Sequence, residues 1–598
     1  MIRRAWFAAA WVPMLSFVLA AQDTAVHQRL SLVEDWSTSH LLFPGANSIT
    51  LNPALIKDPR LLHAYLMSHR EITQPRRDAM KSASLTRFPM AAAPVAVNRP
   101  MGMRTEGSRV LDNPTSDFQW RVLNRQPSSK IDWAVSLGPT AGMPPGETPA
   151  KFSFDVTATP DCTNDFVVYV INTTPAAGSQ ANIVAFNNLY SGTPAGSSFC
   201  GLADPTFLFS YAAGVGPIST SPVLSLDGTK IAFVDNDLSV NHAHFNVLTW
   251  AASQGTDATA GSVAPGTGGS SLSTLDFTPG NCSGHATASN ASPFVDYTND
   301  VAYVATDNGD LYKINGVFSS TPTFAYCITV NVNKNLTTPV YDPTSGNVFV
   351  SDGSLLYGFT PGVSSFTSIG SPIAVGSPVS HAVNQGTIID SSNGWIYAFA
   401  NSNSAGTNSS VAQISIDLSA ATYGSMGDAT TSNYVLNGQF DNQYWAGLAG
   451  GGHLYACGTQ VGSGGLSPSL WGFGFKSIGG QMKATPFLSD FRGITTGTTH
   501  GSCSPLLELY DGTHDRLFVG VSGVDRITSW GIGAPLTSGS LATSTRNGQT
   551  GGTSAFSVDN FSSMNQASSI YFGTLGAGTT QCGSGNFCAV KLTQSTLQ

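Results

Sequence analysis

One sequence pattern recurs eight times between residue 150 and the C-terminus. Each copy starts with Ser/Thr-Pro or a degenerate form of it and runs through an apolar stretch to an Asp and a turn. Further stretches rich in Val, Tyr and Phe follow, and the clearest copies begin at Ser292 and Thr338. A repeat of this length cannot bury its apolar face alone and must stack on copies of itself. The pattern therefore predicts an all-β fold, a single β-propeller.

The copies start near residues 150, 221, 292, 338, 387, 438, 504 and 555. Most of the intervals are close to the roughly 40–50 residues of a four-stranded blade. The longer intervals contain Gly/Ser-rich insertions such as Gly255 to Ser273, which we expect to form loops on one rim. Eight blades are the favoured interpretation. Seven is the alternative if the weak copy near 438 is not a blade.

The last copy ends at Phe587–Leu592 without a final strand of its own. The stretch Ile131–Leu137, directly before the first copy, has the alternating pattern of a strand. Pairing of these two stretches would close the ring and remove its open sheet edges. We therefore assign residues 131–598 to a propeller closed by its N- and C-terminal strands.

The first 130 residues do not follow the repeat. Residues 1–21 have a charged start, an apolar centre and small residues at the end, which is typical of an export signal. This predicts a secreted or periplasmic protein without a transmembrane anchor after cleavage. Residues 22–130 form a basic extension, in which Asn52–Ile72 has the apolar spacing of a helix and residues 73–105 indicate a linker or strap.

Charged residues are scarce in this chain. Asp, Glu, Lys and Arg make up only 11% of it, the net charge is −9, and the excess of acid lies in the predicted propeller. A nucleic-acid partner would require clustered basic residues facing the phosphates, so this class of partner is excluded. We expect a monomer whose partner is an extracytoplasmic protein or a glycan.

The eight cysteines point to disulfide bonds, because an even number in an exported chain is typical of an oxidised framework. None of them has the Cys-x-x-Cys spacing of a zinc or redox site. Partners should lie in one blade or in neighbouring blades, which favours sequential pairing. The expected pairs are Cys162–Cys200, Cys282–Cys327, Cys457–Cys503 and Cys582–Cys588.

Three copies carry an Asp-Gly or Asn-Gly turn followed by an aromatic strand, at residues 307–312, 352–357 and 393–399. These copies resemble the PQQ-like repeats of quinoprotein-alcohol-dehydrogenase-like propellers. The wider chain is similar to exported bacterial propeller proteins of unassigned activity. Enzymes of the family bind pyrroloquinoline quinone and Ca²⁺ beside an adjacent Cys pair and use repeated Trp motifs, and this chain has neither feature. No catalytic residue is carried over, and no cofactor is predicted, with Ca²⁺ or a quinone as the alternative.

Two sets of side chains are candidate ligands for cations. His242 and His244 share one face of a strand, and Asp235 and Asp237 lie just upstream, which is a possible metal site. The spacing fixes no third ligand, so exposed histidines in a loop or at a strand edge are the favoured interpretation. An Asp also follows the first strand of most copies and could form a carboxylate ring. Turns in which Asp accepts bonds from its own backbone are the favoured interpretation of this second set. Its members are Asp155, Asp227, Asp296, Asp342, Asp390, Asp441 and Asp559.

The favoured function is a non-catalytic scaffold that presents rim loops to a ligand or partner outside the cytoplasm. One alternative is a quinoprotein-like or glycan-active enzyme, and a second is a structural cell-surface component. Aromatic residues on rim loops could stack on sugars, although packing between blades is the favoured interpretation. These aromatic residues are Tyr190, Phe199, Tyr434, Tyr444 and Trp445.

Overall fold

A computed structural model describes most of the propeller and two short parts of the N-terminal extension. The described residues are 29–45, 57–68, 129–277, 282, 288–378, 383, 385–448, 450–495, 500–510, 514–560, 568–578 and 581–594. The predicted export signal and the predicted linker lie outside these residues. No helix within the described ranges is long and apolar enough to cross a membrane.

The described residues form an eight-bladed β-propeller with little helix, which confirms the predicted fold class. Each blade is an antiparallel sheet whose inner strand faces the central channel. Blade 1 consists of β4 (Ala150–Ser153), β5 (Phe166–Val170), β6 (Ile183–Asn187) and β7 (Thr206–Tyr211), and blade 2 consists of β8 (Val223–Leu224), β9 (Lys230–Asp237), β10 (His242–Thr249) and β11 (Ser271–Asp276). Blade 3 consists of β12 (Phe294–Asp296), β13 (Val301–Ala305), β14 (Asp310–Asn315) and β15 (Thr323–Thr329), and blade 4 consists of β16 (Val340–Asp342), β17 (Asn347–Ser351), β18 (Leu355–Pro361) and β19 (Phe366–Ala374).

Blades 5 to 8 continue in chain order. Blade 5 consists of β20 (Ile388–Asp390), β21 (Trp395–Ala400), β22 (Asn408–Ser415) and β23 (Ala421–Asp428), and blade 6 consists of β24 (Gln439–Phe440), β25 (His453–Thr459), β26 (Pro468–Gly474) and β27 (Leu488–Phe491). Blade 7 consists of β28 (Leu507–Tyr510), β29 (Asp515–Val521), β30 (Arg526–Gly531) and β31 (Ser544–Asn547), and blade 8 consists of β32 (Ser557–Asp559), β33 (Ser569–Gly573), β34 (Phe587–Gln594) and β3 (Ser129–Gly138). The weak copy near 438 is blade 6, so the seven-bladed alternative is wrong. Its signal is weak because Asn437-Gly438 stands where the clearest copies have Ser/Thr-Pro.

The ring is closed by the two ends of the propeller sequence. Strand β3 is the outer strand of blade 8 and pairs antiparallel with β34, with Ile131 opposite Leu592. It occupies the position that its alternating sequence predicts. Trp133 of β3 is buried, and its Nε1 donates a hydrogen bond to the carbonyl oxygen of Leu189 in blade 1. The closing strand therefore also ties the last blade to the first.

The Ser/Thr-Pro starts of the repeats form a chain of hydrogen bonds around the channel. The backbone nitrogen of Thr148 donates to Ser221 Oγ (2.9 Å), that of Ser221 to Ser292 Oγ (2.8 Å), and that of Ser292 to Thr338 Oγ1 (3.0 Å). Each hydroxyl thus accepts the amide of the preceding blade, which explains why the repeat starts with Ser or Thr. We call this end of the channel the start face, and the opposite end, where the turn aspartates lie, the turn face.

The Gly/Ser-rich insertion of blade 2 covers the outer edge of blade 1. Ser210 of β7 donates its backbone N–H to the carbonyl oxygen of Gln254 and accepts the N–H of Val263, and the N–H of Ala212 binds the Val263 carbonyl oxygen. An outer strand otherwise presents unpaired backbone groups to other chains. The insertion therefore protects an edge as well as forming part of the rim.

Three of the four predicted disulfides are present among the described residues, namely Cys162–Cys200, Cys457–Cys503 and Cys582–Cys588. The second links β25 of blade 6 to the start of blade 7, and the third lies within blade 8. No bond joins Cys282 to Cys327, although the two thiols are in hydrogen-bond contact, which raises the pKa of Cys282. The fourth pair stays a prediction.

Candidate functional site in the central channel

The N-terminal extension passes through the centre of the propeller. Strand β1 (Leu32–Glu34) pairs antiparallel with β4 of blade 1, helix α1 (Trp36–His40) follows, and β2 (Leu41–Leu42) pairs parallel with β20 of blade 5. Blades 1 and 5 lie opposite each other in a ring of eight. The segment therefore crosses the channel, and we call residues 30–45 the plug. Neither strand is predicted from the sequence.

The plug is anchored by specific polar contacts. Asp35 caps α1 by accepting the backbone N–H of Ser37 on Oδ1 (2.9 Å). Trp36 packs edge-on against Phe294 of blade 3, with 5.7 Å between ring centres. The His40 ring bonds the Trp36 carbonyl oxygen through Nδ1 (2.6 Å) and the Asn437 amide through Nε2 (2.7 Å). Burial lowers the pKa of His40 to about 4, so the ring is neutral at physiological pH.

Helix α2 (Pro59–Ser68) covers the plug at the turn face. Lys57 and Asp58 are not helical, so the predicted helical stretch 52–72 begins later than expected within the described residues. Asp58 caps this helix, because its Oδ1 accepts the backbone N–H of Arg60 (3.0 Å). Pro59 occupies the first helical position, where a proline is favoured. The buried Arg60 guanidinium pairs with Asp58, donates to the Val295 carbonyl oxygen (3.1 Å) and stacks over Phe294.

The loop before β4 covers the channel at the start face. The Gly146 carbonyl oxygen accepts the side-chain amide of Gln385 in blade 5 (2.8 Å), and the Glu147 carbonyl oxygen accepts the backbone N–H of Ala555 in blade 8 (3.0 Å). The Glu147 carboxylate accepts the hydroxyls of Ser221 and Ser292, both at 2.6 Å. Burial raises the pKa of Glu147 to about 7 despite these bonds. The chain thus covers both ends of its own channel.

A small cavity remains between the plug and blades 6 to 8. Its volume is about 60 Å³, against the roughly 300–1,000 Å³ of typical ligand pockets. Burial raises the pKa of Glu34 to about 8, so this side chain is largely a neutral acid at pH 7, and its Oε1 lies 3.4 Å from His63 Nε2. The cavity is lined by Glu34, Asp35, His63, Gln439, Trp445, Glu508 and Asn560, among others.

The residues of the channel do not fit a quinone. The axis of the disc is filled by α1 and the strands on either side of it, and the remaining cavity is smaller than a multi-ring cofactor needs. Within the described ranges no group of three or more His, Cys, Asp and Glu side chains could hold a metal ion.

The repeated aspartates lie at the turn face, as their positions in the repeat require. Six of the seven, all within the described residues, accept a backbone N–H from the turn that follows; Asp342, for example, accepts that of Ser345 on Oδ2 (2.8 Å). Asp559 differs, because its Oδ2 accepts the Tyr190 hydroxyl (3.0 Å) and pairs with Lys151. Their side chains bind separate turns instead of meeting in one ring.

The structure keeps one pair of the four predicted metal ligands together, because His244 Nδ1 lies 3.6 Å from Asp235 Oδ1. His242 Nδ1 lies 3.1 Å from Asp276 Oδ1, and His244 Nε2 lies 3.7 Å from the same atom. Asp235 Oδ2 accepts backbone N–H groups of residues 215 and 216, and Asp237 Oδ1 accepts that of Ser239. Both histidines therefore share a carboxylate on β11 that the sequence analysis does not include.

A buried cluster of charged side chains lies between blades 8 and 1, and it is not among the sites predicted from the sequence. Lys151 of β4 and Lys591 of β34 are both buried. Lys591 Nζ lies 3.3 Å from Asp132 Oδ2, and Lys151 Nζ lies 3.2 Å from Asp559 Oδ2. A sequence signal does exist, because each lysine stands inside an apolar strand, where a charged side chain has to be paired.

Two of the solved structures that this chain resembles are propellers, at low sequence identity. No protein-family model and no curated protein matches the chain. The solved WD40 propeller domain of Doa1 covers 78% of this chain and 98% of its own, with 8% identity and a TM-score of 0.35. The Dos1 propeller covers 77% and 95%, with 9% identity and a TM-score of 0.42. A putative 6-phosphogluconolactonase from Bacteroides fragilis NCTC 9343 covers 65% and 99%, with 12% identity and a TM-score of 0.37.

Proposed function

We propose that this protein is an exported, non-catalytic β-propeller that binds a partner through the surface of its disc. The observation that supports this proposal is the occupied channel. The plug joins blade 1 to blade 5 across the axis, and the loop at Gly146 and Glu147 covers the other end. A ligand on the axis would have to displace residues that are hydrogen-bonded to six different blades. The faces and rims are the surfaces that stay accessible.

The turn face is the proposed binding face. Residues 188–205, between β6 and β7, are held by the Cys162–Cys200 disulfide and leave Phe199 and Leu202 37% and 39% exposed. An aromatic side chain in a constrained loop binds at low entropic cost, either to a sugar ring or to an apolar side chain of a protein. The segment itself contains a single charged residue, Asp204, so the partner is a neutral glycan or a protein surface.

A glycan array and a panel of extracytoplasmic proteins, probed with the purified chain, test the proposal. The variant Phe199→Ala/Leu202→Ala should lose at least tenfold in affinity for the partner found. The matched control is Leu238→Ala/Val240→Ala, at the exposed tip between β9 and β10 on the start face, and it should bind normally. Normal binding by the first variant and loss by the second would place the partner on the start face and contradict the choice of face.

An activity assay addresses the alternative of an enzyme. The protein is incubated with pyrroloquinoline quinone, Ca²⁺, an artificial electron acceptor and a range of alcohols and sugars. We expect no turnover above that of the heat-denatured protein. Turnover that depends on the native protein and is lost in Glu34→Gln or Glu508→Gln would contradict the proposal.

Export and a monomeric state complete the proposed function. The three disulfides agree with an oxidising compartment. Sequencing the N-terminus of the protein recovered from the producing cells should find a start after residue 21, and light scattering should give the mass of one chain. Recovery of an uncleaved chain from the cytoplasm would contradict export.

A further inference from the structure

Lys151 and Asp559 form a buried pair across the junction of the first and last blades. Lys151 Nζ lies 3.2 Å from Asp559 Oδ2, and the two side chains are only 1% and 4% exposed. Lys151 belongs to β4, the inner strand of blade 1, and Asp559 ends β32, the inner strand of blade 8. Burying an ion pair removes both charges from water and costs several kcal/mol per ion, so the arrangement is costly unless the charges are otherwise used.

A third acid stands beside this pair. Glu34 of the plug lies directly opposite Lys151 in the β1–β4 register, and it interacts electrostatically with both Lys151 and Asp559. Its pKa is raised to about 8 by burial, so it carries a proton at neutral pH. A neutral carboxylic acid beside an amine and a second carboxyl group can act as a proton-transfer group. It can take a proton from the nitrogen through one oxygen and give its own proton to the hydroxyl group of the second carboxyl.

The surroundings of the pair are aromatic and closed to solvent. Tyr190 and Tyr571 are almost completely buried, and the Tyr190 hydroxyl donates to Asp559 Oδ2 (3.0 Å). This bond holds the carboxyl group of Asp559 in place next to the lysine. A site without bulk water favours a condensation, since water is one of the products.

We propose that Lys151 and Asp559 are joined by an intramolecular isopeptide bond, with Glu34 as the proton-transfer residue. The ion pair first becomes a neutral amine and a carboxylic acid by transfer of one proton from Nζ to the Asp559 carboxylate. Nζ then attacks Cγ of Asp559, and a C–N bond forms. Glu34 takes a proton from the nitrogen and gives one to the departing hydroxyl group, and the C–O bond breaks with release of water. An ammonium and a carboxylate become an amide and one water, with no other reactant.

The bond would link blade 1 covalently to blade 8. The ring is otherwise closed there by the hydrogen bonds of β3 with β34 and by contacts between side chains. Of the three disulfides among the described residues, none joins these two blades. The isopeptide bond would therefore supply the covalent closure that the disulfides leave out, and it would remove the two buried charges.

Mass spectrometry of the purified, reduced protein tests the proposal. The expected intact mass is one water below that of the mature sequence, and a tryptic digest should contain the peptide of Asp559 attached to an uncleaved Lys151. Glu34→Gln and Asp559→Ala should have the full mass of their sequences. Asp227→Asn, a change at an acid of blade 2 that binds its own turn, should keep the loss of water. An unmodified wild-type mass, or a link mapped to Lys591 and Asp132, would overturn the proposal.

A cleavage experiment gives a second readout that does not depend on the variants. A protease site inserted beside the exposed Gly406, in the hairpin between β21 and β22, separates Lys151 from Asp559 along the chain. No disulfide found in the structure bridges that point. After cutting, reduction and boiling, the two fragments should migrate as one species on a denaturing gel. Separation into two fragments would contradict the bond.

Discussion

Lys591 Nζ in β34 lies 3.3 Å from Asp132 Oδ2 in β3, and neither side chain is exposed to solvent. The Thr593 hydroxyl donates to the same oxygen at 2.6 Å. The last strand of the repeat and the strand borrowed from before the first copy are therefore joined by a buried charge pair as well as by backbone hydrogen bonds. Breaking such a pair by removing one partner leaves the other charge buried and uncompensated.

Asp132→Ala should therefore destabilise the whole propeller. The expected loss in the free energy of unfolding is about 3–5 kcal/mol, the usual result of removing one partner of a buried pair. Urea denaturation followed by tryptophan fluorescence measures it. The control is Lys130→Ala, whose half-exposed side chain lies 3.9 Å from the same carboxylate and which should change stability by less than about 0.5 kcal/mol. Equal midpoints for wild type and Asp132→Ala would contradict the role of this pair in closure.

A disulfide that closes a longer loop should contribute more to stability than one that closes a shorter loop. Cys457–Cys503 has a sequence separation of 46 and Cys582–Cys588 one of 6. The chain-entropy model gives about 4 kcal/mol for the first and about 2 kcal/mol for the second. Paired Cys→Ser variants of each disulfide should therefore show the larger fall in melting temperature for the bond between blades 6 and 7. The reverse order would show that native-state packing at these sites outweighs the entropy of the unfolded chain.

The pairing of Cys282 with Cys327 has a direct test. The two thiols are already in hydrogen-bond contact, so an oxidising compartment should complete the bond. Labelling of the unreduced, denatured protein with a maleimide should then modify no cysteine. Modification of both residues would show that this pair stays reduced while the other six cysteines are oxidised.

The repeat predicts the blades well because strand pattern, turn and Ser/Thr-Pro start are all local in sequence. The closing strand β3 is also predictable, since the last copy lacks a strand and Ile131–Leu137 alternates directly before the first copy. The Ser292 and Thr338 hydroxyls show a further physical reason for the pattern, because each accepts the backbone amide of the blade before it.

The contents of the channel could not be predicted in the same way. Strands β1 and β2 have three and two residues, too few for a periodic signal. Their partners, β4 and β20, are far away in sequence, so only the assembled ring defines the pairing. Glu147 lies in a Pro/Gly-rich loop, and its contacts with Ser221 and Ser292 likewise depend on the tertiary fold. Residues that meet at the axis have no common sequence pattern.

Gly255 should be intolerant of a side chain because it lies where the insertion of blade 2 meets the edge of blade 1. It has φ +75°, and a Cβ atom there would come within 2.3 Å of the Ser210 carbonyl oxygen. Gly255→Ala should lower the melting temperature and promote aggregation by uncovering β7. Gly406→Ala is the matched control, because Gly406 has the same φ of +75° with no atom within 4 Å of an added Cβ. Both variants carry backbone strain of about 1–2 kcal/mol, so equal losses in melting temperature would contradict the edge contact.

Stability should fall as the pH rises from 7 to 8, because the folded state holds a proton on Glu34 up to about pH 8 and the unfolded chain releases it near 4.5. A raised pKa stabilises the fold fully at low pH, and this contribution is lost as the pH passes the folded value. Glu147, whose pKa is raised to about 7, acts in the same direction and is half ionised at pH 7. His40, with its pKa lowered to about 4, acts in the opposite direction below pH 6.5. Between pH 7 and 8 Glu34 therefore makes the larger contribution. The fall in melting temperature across this window should be much smaller in Glu34→Gln than in the wild type, whereas Glu147→Gln should keep most of the wild-type slope. The same slope in all three proteins would show that Glu34 is already ionised in the folded state.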